Sequence, residues 1–266
     1  MRTGSSTALI LTLLLLLCTM TMAQNKPAKK PAKKVANSTP IPLPDSYADL
    51  LQSASQAIVV TTPGWNSIDG SLQRYDKNDG HWQPIGENIP IVVGKSGLAW
   101  DGAIEAAWDK RDPVKKEGDG RSPAGIFALG QSFGFAPSAP NLKLPYLSLT
   151  ESVECVDDAS SQSYNQVVDR QQLPHPDWSS SEKMRTVDAY KEGLVVNYND
   201  QHVPGAGSCI FMHIWSGAGH GTAGCTAMEE GKLQEMLSWL DESKKPVLIQ
   251  LPAAMYKDVK DAWKLP

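Results

Sequence analysis

The chain has 266 residues, which is enough for one sizeable domain and marginal for two. Its formal net charge is −4, from 25 Lys and Arg against 29 Asp and Glu. This balance argues against a nucleic-acid partner, because such proteins carry concentrated positive charge. The one dense Lys cluster lies in a Pro-rich stretch between residues 26 and 34.

Residues 1–23 resemble a secretory signal peptide. Arg2 supplies positive charge, residues 8–17 form a Leu-rich apolar run, and Thr21-Met22-Ala23 fits a cleavage site. An uncleaved anchor is the alternative, although the run is short for a membrane span. We therefore expect an exported protein.

Residues 24–44 are predicted to form a Lys- and Pro-rich linker. Pro disfavours helix and sheet, and Lys keeps such a segment solvated and extended. The remaining residues, 45–266, are predicted to form a single domain.

Short β-branched or alternating segments, separated by Gly and Pro, predict a domain built mainly from strands. Asn78-Asp79-Gly80 is a hairpin-type turn between two of them. Residues 155–192 are polar and irregular, and predict a surface excursion with a short helix near residues 182–190. The predicted strands cover residues 57–62, 72–75, 81–85, 89–93, 125–129, 194–198, 210–215 and 247–251.

One amphipathic helix is predicted to begin just after residue 225. Its start is marked by Thr226-Ala227-Met228-Glu229, which fits a capping box, and its end by Lys244 and Lys245. The expected fold is therefore mainly β with one or two helices, an α+β domain. The apolar stripe of the helix recurs at helical spacing and consists of Leu233, Met236, Leu237 and Leu240.

The cysteines predict one disulfide and one free thiol. Removal of the signal peptide removes Cys18 and leaves Cys155, Cys209 and Cys225. In an oxidising compartment an odd number of cysteines indicates one bridge and one leftover thiol. The surroundings of the three favour a Cys155–Cys209 pairing.

Cys225 is the candidate nucleophile. At a helix N-terminus the positive end of the dipole stabilises a thiolate and lowers the thiol pKa. The small residues before it, ending in Gly224, allow backbone N–H groups to hold a developing oxyanion. The alternative is a small buried cysteine with a purely structural role.

His213 is the candidate base for that thiol. It lies in a predicted strand in which Ile210, Met212 and Ile214 alternate towards the core. His213 and Trp215 then point to the other face, where they can wall a cleft. Candidates for substrate binding around this cleft are Trp215, His220, Thr222 and, in a Gly-rich turn upstream, Arg121.

Cys209, His213, His220 and Cys225 also resemble a set of metal ligands. Cys209 and His213 are four residues apart, which is about 13 Å along a strand. Zinc ligands lie about 2.0–2.3 Å from the ion, so both cannot bind one metal while the strand is regular. We therefore expect no metal.

Three short motifs resemble the catalytic domain of the L,D-transpeptidase (YkuD-type) family. They are His213 followed by Gly224-Cys225, the segment Arg121-Ser122-Pro123-Ala124-Gly125-Ile126-Phe127, and Val92-Val93-Gly94-Lys95 before it. The resemblance covers roughly residues 57–251. It points to a divergent branch in which Gly-Cys-x-Ala-Met replaces Gly-Cys-x-Arg-Met.

The resemblance implies a β-sandwich catalytic domain of the bacterial cell envelope, in the periplasm or on the wall, that needs no cofactor. It implies that Cys225 attacks peptidoglycan stem peptides to form a thioester, with His213 as base. The backbone carbonyl of Ile214 is then expected to orient the imidazole, and the N–H groups of Gly224 and Cys225 to bind the oxyanion. Transfer to an amine, forming a 3–3 cross-link, and hydrolysis remain open, as does a non-catalytic wall-binding domain.

Overall fold

The computed structural model describes Met1, residues 41–102 and residues 112–266. The predicted signal peptide and most of the predicted linker lie outside these residues. From residue 41 onward the described residues belong to one compact unit. Ile41 and Leu43, which the predicted linker includes, pack against the core of this unit. The Ile41 carbonyl accepts a hydrogen bond from the indole of Trp263 at 2.9 Å.

The fold is mainly β with helices at its surface, so the α+β prediction is confirmed. The helix number was predicted too low, because three α-helices lie within the described residues: α1 (Asp45–Ser53), α2 (Glu230–Trp239) and α3 (Ala253–Trp263). No helix in that part of the chain is long and apolar enough to cross a membrane.

Ten strands form the main sheet. They are β1 (Gln56–Thr62), β2 (Asp69–Asn78), β3 (His81–Val92), β4 (Leu98–Trp100), β5 (Ser122–Gly134), β6 (Tyr146–Ser148), β10 (Glu192–Val196), β11 (Phe211–Ile214), β12 (Thr226–Met228) and β13 (Val247–Pro252). All eight predicted strands fall within or overlap these strands, and two of the predictions merge into β3.

The strand order is β10-β11-β12-β3-β2-β1-β13-β5-β4, with β6 beside β5. The long strand β5 pairs with β13 through residues 125–128 and with β10 through residues 129–134. Strand β10, at one end of this order, therefore also pairs with β5 near the other end. Parallel pairs, such as β1 with β13 and β11 with β12, mix with antiparallel ones.

The turn at Asn78-Asp79-Gly80 joins β2 to β3 as predicted. Asp79 and Gly80 both have positive φ, 49° and 79°. A two-residue hairpin turn of this kind matches the right-handed twist of its strands, and Gly and Asp tolerate the required φ.

Helix α2 carries the predicted apolar stripe. Leu233, Met236 and Leu237 are buried, and Leu240 caps the C-terminus and is also buried. The predicted ends are wrong on both sides. The helix begins at Glu230, not after Cys225, and Lys244 and Lys245 lie beyond it at a separate 3-10 turn.

A second sheet of three strands lies where a surface excursion was predicted. It consists of β7 (Val153–Val156), β8 (Val167–Asp169) and β9 (Ser181–Lys183), in the order β8-β7-β9. Buried Glu154 on β7 holds the parts of this segment together. Its carboxylate accepts hydrogen bonds from four side chains: Arg170, Trp178, Ser181 and Lys183. The predicted helix near residues 182–190 is wrong, since β9 and two short 3-10 turns occupy that stretch.

The core has two parts, and β11 separates them. Met212 belongs to the main cluster with Ile210, whereas Phe211 belongs to a smaller cluster that includes the three cysteines 155, 209 and 225. The alternation predicted for this strand is therefore confirmed. Its second face, the one carrying Phe211 and His213, meets the small cluster instead of open solvent.

Candidate functional site

His213 lies on β11, and Cys225 directly precedes β12, the parallel neighbour of that strand. Strand β12 pairs with β11 so that Thr226 lies opposite Met212 and Ala227 opposite His213. Cys225, one residue before β12, therefore continues the register opposite Phe211, and the Phe211 N–H donates to its Sγ at 3.3 Å. Along the strands, the cysteine and the histidine are two positions apart, or about 7 Å.

The helix expected to follow Cys225 at once is replaced by strand β12. The hydroxyl of Thr226 donates to the side chain of Gln250 at 2.6 Å and does not cap a helix. Glu229 instead caps α2 by accepting the N–H of Lys232 at 3.1 Å. Burial of residues 226–228 between β11 and β3 outweighs the local capping signal. The N-terminus of α2 therefore lies five residues after Cys225 and not next to the thiol.

The thiol of Cys225 is neutral in this structure. The residue is 5% exposed. Burial raises its pKa to about 12, and the nearby carboxylate of Glu182 adds to the rise. Hydrogen bonds from the Phe211 N–H and with the Tyr190 hydroxyl lower the pKa but do not outweigh burial. The expectation of a lowered thiol pKa is therefore wrong for this conformation.

The backbone at Cys225 is held by two hydroxyl groups. Its carbonyl accepts hydrogen bonds from Ser122 at 2.8 Å and from Thr222 at 2.6 Å. Thr222 also accepts the N–H of Gly224 at 3.1 Å. The Gly224 N–H is thus engaged inside its own loop, which contradicts a free oxyanion donor at that position in this conformation.

His213 is fixed by the carbonyl next to it. Its Nδ1 lies 2.8 Å from the oxygen of Ile214. A carbonyl only accepts, so Nδ1 carries the proton and Nε2 is left as the basic nitrogen. Burial lowers the pKa of His213, and the Ile214 carbonyl partly opposes this shift. The imidazole is therefore neutral at pH 7, which is the state a base needs.

A cleft of about 370 Å³ opens beside His213. Four of the predicted site residues line it besides the histidine: Ile214, Trp215, His220 and Thr222. Cys225 is not part of this lining. Tyr190 lines the cleft and belongs, with Cys225, to the smaller hydrophobic cluster.

Arg121 is engaged elsewhere. Its guanidinium donates to the carbonyls of Trp65 and Leu98, at 3.1 and 2.9 Å, and to the side chain of Asn66 at 2.8 Å. These contacts tie the Gly-rich turn to the loop between β1 and β2 and to the first residue of β4. The Arg121 side chain does not line the cleft, and its hydrogen bonds hold the Gly-rich turn against that loop and strand.

The disulfide prediction is confirmed, since Cys155 and Cys209 are bonded and Cys225 is free. The bridge joins β7 of the small sheet to Cys209, which lies two residues before the start of β11. It also removes Cys209 from any set of metal ligands. Within residues 41–102 and 112–266, no three His, Cys, Asp or Glu side chains are grouped to hold a metal ion.

Two residues of the site were missed by sequence reasoning. Tyr190 packs its ring edge-on against His213 at 5.3 Å, and its hydroxyl donates to Glu182 at 2.6 Å. Burial raises the pKa of Glu182, and the hydrogen bond from Tyr190 partly offsets it. Both lie in the stretch predicted as polar and irregular, where no motif or periodicity distinguishes them.

Comparison with known proteins adds little to this geometry. No family model matches the chain, and no curated protein matches it. A solved structure, that of Bdellovibrio bacteriovorus Bd1075, aligns at 12% sequence identity with a TM-score of 0.38. The alignment covers 79% of this chain and 55% of that one, so the chain spans about half the length of that protein. A likeness this weak identifies neither the fold nor the function.

Proposed function

We propose that this chain is a cysteine-dependent acyl-transfer enzyme of the bacterial cell envelope that acts on peptidoglycan stem peptides. The observation that carries the proposal is the parallel pairing of β11 with β12, which brings Cys225 within two positions of His213. The motif resemblance to the L,D-transpeptidase (YkuD-type) family suggests the substrate class. An L,D-transpeptidase-like β-sandwich is the specific form of the α+β fold that we propose.

In the proposed reaction, Nε2 of His213 accepts the proton of the Cys225 thiol. The sulfur attacks the carbonyl carbon of the amide after the third residue of a stem peptide. The C–N bond then breaks, His213 returns the proton to the leaving amine, and a thioester remains on Cys225. Attack by the amine of a second stem forms a 3–3 cross-link and restores the thiol.

Two features of the neighbourhood support this chemistry. The carbonyl of Ile214 selects the tautomer of His213 in which Nε2 is unprotonated. The hydroxyls of Ser122 and Thr222 fix the backbone of the nucleophile. Access of a substrate to the sulfur requires movement of the residues that cover it, because Cys225 is buried.

Hydrolysis of the same thioester is the second candidate. Ala227 stands where the common family pattern has arginine, and it is fully buried between His213 and Val92. Some members of the branch with this alanine resemble hydrolases of wall-linked peptides. Water would then replace the amine as acyl acceptor.

A wall-binding domain without catalysis is the third candidate, and the buried neutral thiol favours it. In that case Cys225 is a core residue, as its place among Phe211, Cys155 and Cys209 also allows.

Product analysis with defined muropeptides separates these candidates. Dimers with 3–3 links support transfer, and release of D-alanine without dimers supports hydrolysis. Cys225→Ala and His213→Ala should abolish either product, whereas His175→Ala, an exposed histidine, should not. A carbapenem should form a covalent adduct that Cys225→Ala loses. Absence of both products and adduct would leave only the binding domain.

A further inference from the structure

The cleft beside His213 carries a single unpaired carboxylate. Apart from two histidines, Asp188 is the one described lining residue whose side chain can be charged at pH 7. Asp188 is exposed, and its carboxylate has no hydrogen bond or ion pair with any other residue that the structure describes. An unpaired carboxylate at a cavity of about 370 Å³ attracts a cation.

The cations nearest to Asp188 in sequence are engaged elsewhere. Arg185 lies over the ring of Phe135, with its guanidinium carbon 3.9 Å from the ring centroid. Lys191 pairs with a carboxylate of α2 at 2.5 Å. The side chain of Lys95, on the far side of the site, lies against the Gly-rich turn before β5. None of these three side chains lines the cleft, so the charge of Asp188 is left for a ligand.

Trp215 supplies an aromatic surface to the same cleft. It is half-buried and lines the cavity, but it belongs to neither cluster of the core. Its indole has no aromatic or cation–π partner among the described residues. The face of an indole attracts a cation, and it also packs against the apolar stem of a long cationic side chain. Trp215 and Asp188 therefore suit the same kind of ligand group.

We propose that this cleft binds the side-chain ammonium group of the third residue of the stem peptide that is cleaved, with Asp188 as a specificity-determining residue. The proposal rests on the proposed function, in which the third residue supplies the carbonyl that Cys225 attacks. The side chain of that residue then lies close to His213, where the cleft opens. An ammonium group on a four-carbon stem, as in lysine, packs its stem along Trp215 and directs its charge to Asp188.

The same distribution of charge selects a side chain with a net positive charge over a zwitterionic one. The side chain of meso-diaminopimelate carries a carboxylate on the carbon that holds its ammonium group. That carboxylate would lie close to Asp188, and no Lys or Arg among the described lining residues would compensate it. Stem peptides with lysine at the third position should therefore bind more tightly than those with meso-diaminopimelate.

The test is calorimetric binding of stem tetrapeptides to the Cys225→Ala protein, which does not consume them. The peptides contain L-alanine, γ-linked D-glutamate, a variable third residue and D-alanine. The third residue is L-lysine, Nε-acetyl-L-lysine or meso-diaminopimelate. We expect the lysine peptide to bind about tenfold more tightly than the acetyl-lysine peptide, because acetylation removes the charge. We expect the meso-diaminopimelate peptide to bind about threefold more weakly than the lysine peptide.

Variants of the cleft assign the preference to its residues. In the same background, Asp188→Asn should weaken binding of the lysine peptide about threefold to fivefold and leave binding of the acetyl-lysine peptide unchanged. Trp215→Leu should weaken binding of the lysine peptide about twofold to fivefold. Asp188→Lys should reverse the order of the lysine and meso-diaminopimelate peptides. Equal weakening of the lysine and acetyl-lysine peptides by Asp188→Asn would overturn the proposal, because a merely structural role does not depend on the ammonium group.

Asp258→Asn is the matched control. Asp258 is an exposed aspartate of α3 outside the cleft, and its substitution changes the net charge of the protein by the same amount. It should leave all three affinities unchanged. Circular dichroism checks the fold of each variant, and Cys225→Ser replaces Cys225→Ala if the alanine variant unfolds.

The remaining outcomes separate this recognition from the proposed function. Equal affinities for the lysine and acetyl-lysine peptides would refute the recognition, and so would a failure of all three peptides to bind. Binding that depends on the ammonium group, without any muropeptide product from the wild type, would refute the proposed catalysis alone. Product formed equally well from the lysine and acetyl-lysine peptides would refute the recognition alone.

Discussion

Substitution of Ser122 by alanine tests how the fold positions Cys225. Ser122 is fully buried and makes two hydrogen bonds. Its hydroxyl donates to the Cys225 carbonyl and accepts the N–H of Gly94, both at 2.8 Å. In Ser122→Ala the Cys225 carbonyl keeps the hydrogen bond from Thr222, but the buried Gly94 N–H is left without this partner.

The expected loss follows from these two contacts. A buried donor left unpaired costs about 1–3 kcal/mol, and a lost net hydrogen bond costs about 1 kcal/mol. We therefore expect Ser122→Ala to lower the free energy of unfolding by about 2–4 kcal/mol. The measurement is urea unfolding followed by circular dichroism. The slope of the unfolding free energy against urea concentration should be unchanged.

Ser132→Ala is the matched control. Ser132 lies in the same strand and is equally buried, and its hydroxyl donates only to the Pro145 carbonyl, at 2.9 Å. That carbonyl also accepts the backbone N–H of Ser132, so the substitution orphans no group. The expected loss is about 1 kcal/mol. Equal losses in the two variants would refute the reasoning, and so would a loss below about 0.5 kcal/mol in Ser122→Ala.

Three other predictions concern the disulfide and two titrating side chains. Thiol counting on the denatured mature protein should find one free thiol. Replacement of Cys155 and Cys209 together should lower the free energy of unfolding by about 4 kcal/mol, because the bridge spans 54 residues. Calorimetry measures this loss and can contradict it. Burial alone would raise the pKa of Glu154, but its four donors lower it to about 2, so its stabilisation is present above pH 4.5 and is lost as the pH falls towards 2. Glu154→Gln should flatten this part of the pH–stability curve, and an unchanged acid slope would disprove it. Burial lowers the pKa of His213 below 6.5, so NMR should find it neutral at pH 7, and a midpoint above 6.5 would contradict its environment.

The sequence by itself determined the elements whose signals are local. The hairpin at Asp79 and Gly80 follows from residues that tolerate positive φ, and the stripe of α2 follows from its spacing. The alternation of buried faces along β11 and the free thiol of Cys225 could also be predicted. Both follow from the order and number of residues in the sequence, which require no knowledge of distant contacts.

Only the tertiary structure decided the surroundings of Cys225. The capping signal at Thr226 was plausible locally, but pairing of this segment with β3 and β11 buries it as a strand. The pKa of the thiol then follows from burial and from Glu182, which is 43 residues away in sequence (225 − 182). Desolvation and charge act through space, so residues that no motif connects determine whether this thiol is ionised.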